Sequence, residues 1–147
     1  MDELAKDRIT KKIEEIEGFF SELNKILDED SELNKASCLH GSAMLLFSII
    51  NATIDIADDI KFITKLGPSN KYIEIFTILK DNKLITEETY TDFAFLISRR
   101  NLLAHEYGNI NKEDIKEVLD KNPIVYDMIG LAKKIIKTNH MEFTRKS

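Results

Sequence analysis

The sequence contains few residues that interrupt helices or cross-link a chain. Its 147 residues include one cysteine, two prolines, five glycines and no tryptophan. The single cysteine, Cys38, cannot form an intramolecular disulfide, which favours a reducing compartment such as the cytoplasm. So few prolines and glycines favour long helices over many short strands. We therefore expect a helical, cytoplasmic protein.

The chain also has fewer basic than acidic residues. The chain has 21 Lys and Arg residues against 26 Asp and Glu, a net charge of −5. Proteins that bind nucleic acid without sequence preference usually have a basic face, so this class is disfavoured. An enzyme that holds a few nucleotides in a local cluster is not excluded.

Long apolar segments are missing as well. The longest stretch without Lys, Arg, Asp or Glu, residues 36–54, includes Ser, Asn, Thr and His side chains. It is too polar for a typical membrane span, and we expect a buried central helix without membrane contact. The N-terminal MDELAKDRIT lacks the apolar core of a signal peptide.

Hydrophobic residues recur every three or four positions through most of the chain, the period of an amphipathic helix. Ser31, Thr86 and Asn111 are candidate N-caps, and the stretch 66–68 (LGP) is a helix stop. The pattern predicts one all-α domain over residues 1–147, an up-and-down bundle of four to five helices, with a tail at 140–147 that can fray. The predicted helical segments are 2–28, 31–66, 70–80, 86–107, 111–121 and 124–139.

Residues 98–109, SRRNLLAHEYGN, concentrate the side chains best suited to chemistry. The guanidinium of Arg100 is always charged and can bind a phosphate through two parallel hydrogen bonds. His105 titrates near neutral pH and can move a proton between oxygens. Asn101 could orient the imidazole or bind a phosphate oxygen. Together they suffice for metal-free cleavage of RNA, in which the ribose 2′-hydroxyl attacks the adjacent phosphodiester.

Helical spacing limits how these side chains can meet. Asn101 and His105 are four positions apart and share a helix face, whereas Arg100 and His105 are about 140° apart around the axis. One helix therefore does not bring Arg100 and His105 to the same phosphate unless its end is distorted. A two-fold axis would place both residues from two chains in one cleft, so a nuclease with this motif is expected to be a homodimer.

Structural roles for the same residues remain open. Helix arginines are often solvated or ion-paired, and a histidine near a helix C-terminus is favoured by the helix dipole. Tyr107 could simply pack on the turn. Asp55 with Asp58 or Asp59 has the spacing to hold Mg²⁺, but such carboxylates are more often solvated, and we expect no metal site.

The string at 100–107, RNLLAHEY, resembles the R-x4-H-x-Y signature of HepT-type toxins, a branch of the HEPN superfamily of all-helical ribonucleases. The resemblance implies a homodimeric, metal-independent endoribonuclease toxin with Arg100 and His105 as its catalytic pair and Asn101 beside them. One difference is the pair Asp58-Asp59, which stands where a basic or histidine residue is expected.

The resemblance also implies a partner, an MntA-like nucleotidyltransferase antitoxin. In such pairs the antitoxin uses ATP to transfer AMP onto the motif tyrosine, here Tyr107. An adenylate on Tyr107 would bring negative charge beside Arg100, where the RNA phosphate is expected. The toxin itself needs no cofactor.

Two other hypotheses compete with the nuclease. In the first, the same fold is a non-catalytic partner of a nucleotidyltransferase, and Arg100 and His105 bind a nucleotide. In the second, the protein is a purely structural bundle. Growth arrest on expression of the protein alone would favour the nuclease.

Overall fold

The computed structural model describes the backbone of residues 3–105 and 110–146, and the side chains of residues 3–104 and 110–138. The described chain is helical throughout, with short connections and no strand, which confirms the predicted all-α bundle. Four long helices form the bundle, and two ten-residue helices accompany them. The helices are α1 (Glu3–Glu29), α2 (Ala36–Ile63), α3 (Tyr72–Asp81), α4 (Glu87–His105), α5 (Lys112–Lys121) and α6 (Val125–Lys146).

Helix α2 is the centre of the bundle and packs against all five other helices. Its apolar side chains are buried on most of its circumference, including Leu46, Ile49, Ile56 and Ile60. Burying one such side chain contributes about 1.5–3 kcal/mol, so the packing of α2 makes a large contribution to stability. The predicted buried central helix is confirmed.

Helix α2 begins at Ala36, five residues after the predicted start at Ser31. The connection includes Leu33 with a φ of 56°, a conformation that a helix cannot include. The carboxylate of Asp30 accepts hydrogen bonds from the backbone N–H groups of Asn34 (3.1 Å) and Lys35 (2.8 Å). The prediction of Ser31 as the N-cap was therefore wrong, because Asp30 forms this turn instead.

Helices α3 and α4 form a hairpin whose inner faces meet through the rings of Phe76 and Phe93, 4.9 Å apart. Thr86 Oγ1 accepts a hydrogen bond from the backbone N–H of Thr89, which confirms the predicted cap of α4. The hairpin packs on α2, so the C-terminal half of α4 lies against both α2 and α3.

The last two helices are separated by a short turn of 3-10 helix, Asn122–Ile124, where Pro123 interrupts the α-helix as predicted. Asn111 caps α5 by accepting from the backbone N–H of Asp114 at 2.9 Å, also as predicted. Helix α6 continues to Lys146, beyond its predicted end at residue 139.

Candidate active site at the C-terminal half of α4

The C-terminal half of α4 is anchored by two buried leucines, Leu96 and Leu103. Arg100 is four positions after the first and three before the second, so all three side chains share the face that packs on the bundle. A charged residue on this inner face must find polar or aromatic neighbours in the helices that it meets. For Arg100 these helices are α2 and α3.

Among the described residues, three side chains contact Arg100 through a hydrogen bond or an aromatic ring. Its Nε donates a hydrogen bond of 2.5 Å to Oδ1 of Asn51. Its guanidinium carbon lies 5.2 Å from the ring centroid of Phe47 and 5.0 Å from that of Tyr72, within the range of cation–π interactions. We call these four residues the Arg100 cluster.

The Arg100 cluster orients the guanidinium without neutralising it. Asn51 and the two rings carry no formal charge, and no carboxylate within the described residues forms an ion pair with Arg100. The hydrogen bond to Asn51 uses Nε, so the fork formed by the two terminal nitrogens is not used by that contact. Such an oriented, uncompensated fork is suited to binding an oxyanion such as phosphate.

Arg99, one residue earlier, is turned toward α5. Its terminal nitrogen lies 3.5 Å from Oε2 of Glu117, and its guanidinium carbon lies 4.9 Å from the ring centroid of Phe95. Its Nε is buried without a hydrogen-bond partner among the described residues. Arg99 therefore links α4 to α5.

The other predicted catalytic side chains are placed only in part. Asn101 is exposed to solvent on α4 and does not belong to the Arg100 cluster. His105 is the last described backbone position of α4, and its side chain lies outside the described residues, as does the whole of Tyr107. The roles predicted for Asn101, His105 and Tyr107 therefore stay predictions.

The three aspartates of α2 do not meet as a metal site. Asp59 binds Arg8 at 2.9 Å, and Asp55 and Asp58 each lie 3.4 Å from a lysine. No group of three or more potential metal ligands is found in the described part of the chain. These carboxylates serve ion pairs, two of which join α2 to α1.

Sequence reasoning missed the partners of Arg100. Phe47 and Asn51 are four positions apart on α2, so one helix face presents both to α4. A signal was present, because Asn51 is an amide within the most apolar helix of the chain. Tyr72 is the first residue of α3, and 48% of its surface is exposed.

Helix α2 is the one helix in the described part of the chain that is long and apolar enough to cross a membrane. Half of its most apolar stretch is buried inside the bundle. Since the core helix of a bundle has the same length and composition, this is weak evidence for a membrane span.

The bundle and the motif at the end of α4 together define a helical protein of the HEPN type. A family model described as ribonuclease HepT-like matches residues 9–135, and the chain belongs to that family. The resemblance found in residues 100–107 is thereby confirmed. The chain is also 27% identical, over 114 residues, to the mRNA nuclease HepT of Shewanella oneidensis. That alignment covers 77% of this chain and 86% of the relative.

Solved structures share the fold. A tri-AMPylated Shewanella oneidensis HEPN toxin in complex with an MNT antitoxin superimposes with a TM-score of 0.78 at 23% identity, covering 91% of this chain and 99% of the toxin. A toxin–antitoxin complex with AMP-PNP gives 0.78 at 22% identity, over 87% and 98% of the two chains. A Bacillus subtilis cytosolic protein of unknown function, YutE, gives 0.72 at 19% identity, over 88% and 92%. At these identities the likeness establishes the fold.

Proposed function

We propose that the protein is the toxin of a toxin–antitoxin pair and acts as a metal-independent endoribonuclease in the cytoplasm. The observation that carries the proposal is the surroundings of Arg100, an oriented guanidinium with neutral neighbours. Family membership supports it, as does the similarity to an mRNA nuclease.

The proposed reaction is an internal transesterification of RNA. The ribose 2′-oxygen attacks the adjacent phosphorus, the bond from phosphorus to the 5′-oxygen breaks, and a 2′,3′-cyclic phosphate and a 5′-hydroxyl result. Arg100 binds the phosphate and stabilises the charge that develops on its oxygens. His105 takes the proton of the 2′-hydroxyl or supplies one to the leaving oxygen. Asn101 orients the imidazole or the phosphate.

The proposed active form is a homodimer. Helix α4 remains α-helical from Glu87 to His105, so the Cα positions of Arg100 and His105 are about 140° apart around its axis. A second subunit related by a two-fold axis would complete the cleft with its own arginine and histidine. A monomer is therefore expected not to cleave RNA.

The proposed partner is an MntA-like nucleotidyltransferase antitoxin that uses ATP to attach AMP to Tyr107. Support comes from a similar fold, the tri-AMPylated toxin bound to its antitoxin. An adenylate near the end of α4 would compete with RNA for Arg100 through its phosphate charge. Mass spectrometry after co-expression with the antitoxin should show one or more added AMP groups that are absent from Tyr107→Phe.

The decisive experiment is cleavage of RNA by the purified protein in EDTA. Arg100→Ala and His105→Ala should each lower the rate on the order of 10²- to 10⁴-fold, while circular dichroism and dimer mass stay unchanged. Arg99→Ala is the matched control and should retain cleavage. Cleavage that survives both catalytic substitutions, or that requires a divalent metal, would contradict the proposal. ATP binding without RNA turnover would favour the non-catalytic partner instead.

A further inference from the structure

Tyr72 is a nearly half-exposed aromatic ring within the Arg100 cluster. It is the first residue of α3, and 48% of its surface is accessible to solvent. The core of α3 is formed by other side chains, Ile75, Phe76 and Leu79, which are all buried. The exposed part of the ring is therefore not required to fill the interior.

Tyr126 provides an internal comparison, since it is exposed to nearly the same extent, 51%. Its ring stacks on Phe20 with centroids 4.7 Å apart, a contact between two apolar groups that joins α6 to α1. Tyr72 instead lies 5.0 Å from the guanidinium carbon of Arg100. The two tyrosines differ in their neighbour, and only Tyr72 lies beside a cation suited to phosphate.

In an RNA chain the ribose keeps each base a short distance from its phosphates. A phosphate held by Arg100 therefore brings the base of an adjoining nucleotide within reach of a ring that contacts the same guanidinium. Proteins that bind single-stranded RNA commonly stack unpaired bases on tyrosine and phenylalanine rings. Stacking tolerates any base and requires no basic face, in agreement with the net charge of −5.

We propose that Tyr72 is a stacking platform for one unpaired nucleobase of the RNA, next to the phosphate bound by Arg100. This inference rests on the proposed ribonuclease function and adds a base-binding subsite to it. It assigns the substrate class as single-stranded RNA, because a paired base is stacked on its neighbours in the duplex and cannot lie on the ring.

Fluorescence can detect the stacking directly because the natural chain has no tryptophan. The variant Tyr72→Trp would carry the only indole. The probe is a 2′-O-methylated single-stranded oligonucleotide, which is not cleaved because it has no 2′-hydroxyl. Binding should quench the indole of Tyr72→Trp and leave that of the control, Tyr126→Trp, unchanged. Oligonucleotide binding, measured by anisotropy, without quenching of Tyr72→Trp would overturn the inference.

Kinetics provide a second test. Tyr72→Leu, which keeps an apolar side chain but has no aromatic face, should raise KM roughly tenfold. Tyr72→Phe should restore the wild-type KM, and Tyr126→Leu should have no effect. Replacing the stacked base by an abasic site should weaken wild-type binding but not that of Tyr72→Leu. If the abasic site weakens RNA binding by Tyr72→Leu as much as it weakens binding by the wild type, the inference is contradicted.

The experiments distinguish failure of the inference from failure of the proposed function. If sedimentation shows that Tyr72→Leu dissociates the dimer, the ring belongs to the subunit interface, and the inference is wrong. If the wild-type protein cleaves RNA but all Tyr72 variants match it, only the inference fails. If the wild-type protein neither binds nor cleaves RNA, the proposed function fails first.

Discussion

Arg99 and Arg100 are consecutive residues of one helix, yet they lie in different surroundings. Arg99 faces α5, where Glu117 lies 3.5 Å away and compensates its charge. Arg100 faces α2 and α3, where an amide and two aromatic rings contact it, and no carboxylate in the described part of the chain pairs with it. A step of about 100° around α4 separates the two directions.

The difference separates an arginine that supports the fold from one that is suited to a ligand. A guanidinium paired with a carboxylate has little remaining attraction for an anion, since both charges are compensated within the protein. A guanidinium oriented by neutral groups keeps its full charge and loses rotational freedom before the ligand arrives. Such preorganisation is the main way in which proteins stabilise charge in a transition state.

The two arginines should differ most in activity when each is changed to lysine. Arg100→Lys keeps the charge but loses the planar fork and its contact with the rings, so kcat/KM for RNA should fall on the order of 10²-fold. Arg99→Lys keeps an exposed ion pair and should change kcat/KM by less than about threefold. Equal losses in the two variants, measured with one RNA substrate, would remove the distinction between them.

A substitution at Asn51 should make Arg100 resemble Arg99. Asn51→Asp has the same shape and places a carboxylate on Nε of Arg100, which neutralises the site and repels phosphate. We expect kcat/KM to fall roughly tenfold or more while Tm stays the same or rises. Asn51→Ala, which only loosens the guanidinium, should cost less. If Asn51→Asp cleaves RNA as well as the wild type does, a neutral neighbour is not required.

The contrast between the arginines was only partly predictable from the sequence. Helical periodicity, the caps at Thr86 and Asn111 and the break at Pro123 are local features, and each was confirmed. The motif also identified Arg100 as a candidate. These features depend on residues within one or two turns of each other, which is the range over which sequence patterns are informative.

The surroundings of Arg100 depend on contacts between distant residues. Asn51 is 49 positions away, and no short-range pattern indicates that α2 presents its amide to α4. The error at Ser31 has a different, local cause, because the Asp30 carboxylate binds the backbone N–H groups four and five residues later and delays the start of α2. Sequence alone thus identified Arg100 as a candidate but not the groups that contact it.

The ion pair of Arg99 should contribute modestly to stability. Glu117→Gln removes the charge at Oε2 while keeping the size of the side chain, and both partners are more than one-third exposed. The free energy of unfolding should fall by about 0.2–1 kcal/mol in urea titrations. Cleavage of RNA should not change, because the released charge faces α5. A gain in cleavage would mean that Arg99 also reaches the RNA.

The smallest effect on cleavage should come from a substitution of Asp30. This residue supports the start of α2, whereas Asn51, which contacts Arg100, lies much later in the same helix. Hydrogen bonds from the backbone N–H groups of Lys35 and Asn34 lower the pKa of Asp30 below the usual aspartate value of 3.8. A lowered folded-state pKa stabilises the fold above pH 3.8, and this contribution is lost as the pH falls through the folded value. Asp30→Ala should therefore have a lower Tm than the wild type at pH 7, and the gap should close in more acidic buffer. A difference in Tm that is constant with pH would show that the carboxylate charge is not its source. Cleavage of RNA by Asp30→Ala should equal that of the wild type at pH 7, at a temperature where both proteins are folded. A change in cleavage would show that the start of α2 affects the Arg100 cluster.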